Sequence, residues 1–183
     1  MSSSFDPDRD HRSLRRLQAR LEAWLQRTDD ELFEVCADAS GWSPGQHVFH
    51  VALANEFSLE NVLSLLRQTG ALRTEEAEPV AEAEAILQRG RLPRGTQAPR
   101  FVTPPRRLQR ENLIDVLGGS RENLEAVGER LGELETTPMA IPHQALGPLT
   151  APRWLRFARV HTIHHLELLR RIEVARQGSS QVR

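Results

Sequence analysis

Apolar residues recur at three- and four-residue steps along four stretches of the chain. Leu14, Leu17, Leu21, Trp24 and Leu25 form the first stripe, the spacing of one helix face. Thr28, Asp29 and Asp30 interrupt it, and Leu32, Phe33, Val35 and Cys36 resume it. The spacing predicts a first helix that begins at Asp10, bends at the interruption and ends before Gly41. The second helix has a defined start, with Ser43 as N-cap, Pro44 at the first helical position and Gln46 completing a capping box. It runs through HVFHVALANEFSLENVLSLLRQ to Gly70, a C-terminal stop. In the third, Leu113, Leu117, Leu124 and Leu131 hold their phase across Gly118 and Gly119. Continuity of phase predicts one helix from after Pro105 to about Leu134, although each glycine weakens it by roughly 1 kcal/mol. Thr150 caps a fourth helix, with Pro152 in its first turn, from Arg153 to about Ala175.

The segments between are different. Residues 1–9 and 177–183 read as loose tails. Residues 71–107 carry an acidic stretch, EEAEPVAEAEAILQ, suited to a short helix, and then RGRLPRGTQAPRFVTPP. They hold too few apolar residues for a core of their own and read as a long connection. No strand-period segment of useful length and no internal repeat is visible. The expectation is one all-α domain over 10–176, a four-helix bundle with a long crossover connection between helices 2 and 3.

Composition narrows the classes. Across 183 residues the hydrophobic fraction is 39% and the charged fraction 27%, ordinary for a globular protein. A net charge of -1 gives no electrostatic case for nucleic acid or an anionic membrane. All basic residues other than histidine are arginine, which reads as coding bias. The single cysteine, Cys36, excludes an intrachain disulfide and reads as a small buried hydrophobe. The opening MSSSFDPDRDHRS lacks the apolar stretch of a secretory leader, and no apolar run nears the roughly 18 residues of a membrane span. The expected location is cytoplasmic.

The chemistry lies in the histidines. The core stripe of the fourth helix reads Trp154, Phe157, His161, His165 (or His164), Leu168, Ile172. Imidazoles four residues apart share a helix face and can converge on one metal. Equally, each ring can bond a carbonyl or carboxylate within the core. On the second helix His47, His50, Ala54 and Phe57 form one stripe. If the two helices bring these points level, His50, His161 and His165 cap one ion and leave positions open for water or substrate.

The segment WSPGQHVFH, with His50 eight residues after Trp42, resembles the second-helix signature of the DinB/YfiT-like metal-binding bundles. HTIHH resembles their last-helix pair of histidines. HQALGPLTAPRWLRFARVHTIHHLELL is similar to a branch of unknown function with an H-P-x-x-G-x-L-T lead-in. The resemblance implies a four-helix bundle with a long second connection, and ligands falling on His50, His161 and His165. It implies one divalent ion, zinc or nickel foremost, iron or manganese otherwise. Some such proteins are transferases or isomerases that use bacillithiol, mycothiol or glutathione. A homodimer follows from the resemblance alone. Gln144 replaces the branch's proline, and Leu166–Glu167 follow His165 where many members have glutamine two residues after the ligand. Both departures bear on substrate more than on metal.

Other residues carry smaller expectations. His143 is a candidate proton shuttle or substrate contact. His47 reads as a rim residue, a fourth ligand or a group behind a ligand. His164 packs on a neighbouring helix or bonds a carboxylate, and His11 lies on the surface. Glu56 either orients a ligand or is an exposed carboxylate. Arg89 to Arg106 reads as a solvated loop. No glutamate directly follows His161, which disfavours metalloprotease chemistry. Two functions stand. One is a metal-dependent enzyme, a thiol S-transferase or hydrolase on a small substrate. The other is a non-catalytic metal-binding or structural bundle acting through dimerisation.

Overall fold

Asp6 accepts the backbone N–H of Arg9 and Pro7 fills the first turn, so α1 (Pro7–Glu22) starts at Pro7 and not at Asp10. Phe5, just outside it, is buried. The computed structural model describes residues 5–78, 80–93 and 97–180, so the expectations for 1–4, 79, 94–96 and 181–183 lie outside it. The expected bend is a break. A 3-10 turn (Ala23–Gln26) ends the first helix, and Thr28 and Glu31 close a capping box that starts a separate helix, α2 (Asp29–Phe33). Val35 and Cys36 fall beyond it in irregular chain. Val35 is exposed and Cys36 half-buried, so the thiol is not a core hydrophobe.

The cap of α3 (Pro44–Leu66) is the one the sequence predicts, with Ser43 and Gln46 exchanging bonds to each other's backbone. α3 stops before Gly70 because Gln68 already takes a left-handed backbone, φ 55°. α4 (Ala81–Arg89) realises the short acidic helix. α5 (Arg110–Gly128) is continuous through Gly118 and Gly119 and ends short of Leu134, a single 3-10 turn (Leu131–Glu133) following it. Gly119 has a packing reason, since a Cβ there would lie 3.0 Å from the Glu56 carboxyl carbon on α3. The loop holds an unexpected hairpin, β1 (Ile141–His143) antiparallel to β2 (Gly147–Leu149). Leu149 leads through Thr150 into α6 (Ala151–Ser180), which runs past Ala175 because Arg176 donates to the carbonyls of Glu31 and Glu34.

Paired contacts fix the helix directions. Asp10 meets Arg156 and Arg27 meets Glu173, so α1 and α6 run parallel. His11 meets Leu124 and Gln18 meets Leu117, so α1 and α5 are antiparallel. Glu56 meets Asn123 and Leu66 meets Arg130, so α3 and α5 run the same way. His47 meets His165 and His50 meets His161, which makes α3 antiparallel to α6. Two parallel neighbours in succession force the connecting segment to travel back along the bundle, and this carries Val102 over α3.

The core divides into two clusters, one around Leu14, Leu59, Leu124 and Leu155, the other around Leu21, Val51, Leu117 and Leu166. Each long helix places a buried polar residue between them in sequence: Gln18, Asn55, Ser120 and Thr162. Asn55 donates to the Thr162 hydroxyl (3.0 Å), and Ser120 donates to Gln18 Oε1 (3.1 Å). All four find partners, as most buried polar groups do.

His11 contradicts its expected surface position. It is 7% exposed, and its Nε2 lies 3.0 Å from the Leu124 carbonyl. A Cβ on Gly128 would stand 2.8 Å from this ring. Gly128→Ala is therefore expected to destabilise the protein by about 1–3 kcal/mol in urea unfolding. His11→Ala in the same chain should recover part of that loss by vacating the space.

Candidate metal centre

Three imidazoles from two helices face one another. His50 comes from the second turn of α3, and His161 and His165 from successive turns of α6. Ring centroids are 5.0 Å apart for His50 and His161, 4.7 Å for His50 and His165, and 4.7 Å for His161 and His165. One nitrogen from each ring lies within 4.8 Å of the others, and His50 Nε2 is 3.1 Å from His161 Nε2. The rings are 4%, 7% and 7% exposed. Nitrogens sharing a tetrahedral zinc at ~2.0–2.1 Å lie roughly 3.3 Å apart, so these residues could hold an ion.

Electrostatics agree with that use. Burial holds His161 and His165 well below the ordinary histidine range, and the neighbouring rings push the same way. Burial also lowers His50, against the opposing bond to Val102. The three are neutral at pH 7 and present lone pairs. His50 Nδ1 lies 2.8 Å from the Val102 carbonyl, which only accepts. Nδ1 therefore carries the proton and Nε2 is the free donor atom. His161 lies flat on Phe157 (5.4 Å, 14°), and its buried Nδ1 has no hydrogen-bond partner.

Other expectations shift. His47 is not on a rim. It is 3% exposed, with Nδ1 3.1 Å from His165 Nδ1 and Nε2 2.8 Å from Ser40 Oγ, and burial pushes it down to about 4. Trp42 packs on both His47 and His50, at 5.4 and 5.1 Å. Glu56 does not orient a ligand. Its carboxyl faces Gly119, half-buried and pushed up by that burial and by Glu122, while Val102 takes His50's second nitrogen. His164 is half-buried, its ring edge-on to His165 at 5.2 Å. His143 lies edge-on to Phe157 at 4.5 Å, the ring on which His161 stacks, and its charge adds to those that lower His161. Its Nδ1 accepts the N–H groups of Ala145 and Leu146, and burial lowers it to about 4.

Sequence reasoning missed Ser40, Val102 and the burial of His47. Only His47 left a signal, lying one turn before His50 on the same face. Among the described residues, no helix is long and apolar enough to cross a membrane. Searches of curated proteins and of solved structures return no match. A family model does match, over residues 13–169, a span that includes parts of all four long helices and the three facing histidines, and the chain belongs to the DinB superfamily.

Proposed function

We propose that the chain is a divalent-metal-dependent enzyme whose ion is held by His50, His161 and His165, and which acts on a small substrate as a thiol S-transferase or hydrolase. The observation that carries this reading is the convergence of three neutral imidazole nitrogens from α3 and α6 on one point. When bound, a divalent ion lowers the pKa of a coordinated water or thiol toward neutrality. The chain's own part is to hold the nitrogens unprotonated, exclude bulk water with Trp42 and Phe157, and orient the substrate. With Nδ1 taken by two backbone N–H groups, neutral His143 carries its proton on Nε2 and serves there as a hydrogen-bond donor to substrate.

Deep burial of all three rings favours the alternative of a closed, structural metal in a bundle that acts by dimerisation. One experiment separates the two. Protein purified without chelator should carry about one ion per chain by elemental analysis. Metal-loaded protein should consume glutathione with a small electrophile, or hydrolyse a small ester, at a rate lost on chelation and restored by the ion. An ion present with no metal-dependent turnover of either kind would favour the structural reading. No ion at all would overturn both metal readings and leave the bundle a metal-free structural one.

A further inference from the structure

A neutral imidazole has one N–H and one lone pair, so a 3.1 Å contact between two ring nitrogens needs a single proton between them. At His50 the Val102 carbonyl decides where the proton sits. Among the described residues no carbonyl stands behind His165. Its Nδ1 meets His47 Nδ1, His47 Nε2 meets Ser40 Oγ at 2.8 Å, and Ser40 Oγ also accepts the Trp42 backbone N–H at 3.1 Å. This chain has two self-consistent proton arrangements. In one, Ser40 donates to His47, His47 donates to His165, and His165 carries its proton on Nε2, which blocks that nitrogen. In the other every proton moves across: His165 Nδ1–H donates to His47, His47 Nε2–H donates to Ser40, and His165 Nε2 is bare.

We infer that His47 and Ser40 are positioning residues that hold His165 in its Nδ1–H form, leaving Nε2 to bind the ion. This rests on the metal reading above and assigns His47 no place on the ion itself. It gives two ligand rings a fixed partner behind them, Val102 for His50 and His47 for His165, while His161 is held by its stack on Phe157. Removal of a group that orients a metal-binding histidine typically lowers affinity about 10–100-fold.

The test titrates cobalt(II) into metal-free full-length protein and its variants against a competing chelator, counts nitrogen neighbours by X-ray absorption, and reads imidazole tautomers by two-bond ¹⁵N–¹H NMR of the zinc-loaded protein. His47→Leu should bind about 10–100-fold more weakly with the wild-type number of nitrogen neighbours. His47→Asn, whose Oδ1 stands near the place of Nδ1, should recover most of the affinity. The wild-type NMR should show His165 protonated at Nδ1 and His47 at Nε2, a result that needs no variant to fold. Unchanged affinity in His47→Leu overturns the inference and leaves the metal reading intact. So does loss of one nitrogen neighbour, which would make His47 a ligand, or a His47 proton on Nδ1. Wild-type protein that takes up no cobalt overturns the metal reading first, and the inference with it.

Discussion

Alanine in place of His161 is expected to leave the bundle folded and to lower its affinity for a divalent ion by more than about a hundredfold. A group behind a ligand is worth about 10–100-fold, and a direct ligand must exceed that. His161 faces both of the other rings: its Nε2 lies 3.1 Å from His50 Nε2 and its centroid 4.7 Å from that of His165. The metal-free fold should change little. The substitution loses the stack on Phe157 but removes a buried nitrogen with no partner. These terms oppose each other, and a net change within about 2 kcal/mol is expected. The difference shows when metal is added. An ion at a thousandfold excess over its dissociation constant stabilises by about 4 kcal/mol, and a hundredfold loss of affinity cuts this to about 1.4 kcal/mol, so the variant's melting should rise with zinc by at most about a third as much as the wild type's. An equal rise in both proteins would place the ion elsewhere.

The parts of this arrangement legible in the sequence are those with local causes. The Ser43–Gln46 box, the helical phase across Gly118 and Gly119, and the inward places of His50, His161 and His165 all follow from residues within a turn or two of one another. What failed to show depends on distant partners. Asp6 and Thr28 are caps by residue type, but Asp6 falls in a stretch that reads as a tail and Thr28 in what reads as an interruption of one stripe. The hairpin at Ile141–Leu149 is three residues per strand, too short for an alternating pattern to register. His11 looked exposed because its partner, the Leu124 carbonyl, lies 113 residues away. His47 and His50 occupy one face of α3, and nothing nearby says that one meets Ser40 and the other Val102. Those partners arrive from an irregular loop and from the long connection, where hydrophobic period carries no information.

Metal-free protein is expected to lose several kcal/mol of stability as the pH falls from 6.5 toward 4. His47, His50, His161, His165 and His143 all sit below the ordinary histidine value of 6.5 in the folded chain, His47 and His143 at about 4. Burial is the first cause for each. In the unfolded chain the same groups titrate near 6.5. Below that pH the unfolded state binds protons that the folded state refuses, so the stability these groups contribute is complete above 6.5 and drains away as the pH falls toward each folded value. For His47, which is 3% exposed, the gap from 6.5 to about 4 amounts to roughly 3 kcal/mol at full extent. A few such groups rival the whole stability of a typical domain, about 5–15 kcal/mol. Urea unfolding in the presence of chelator at pH 7, 6, 5 and 4.5 measures the loss directly. Its slope should correspond to more than one proton and should fall by about one in His47→Leu. Zinc should steepen the dependence, because protons and the ion compete for the same nitrogens. A stability flat from pH 7 to 4.5 would mean that the imidazoles are not held neutral in the core, and the lone pairs on which metal binding depends would have no structural origin.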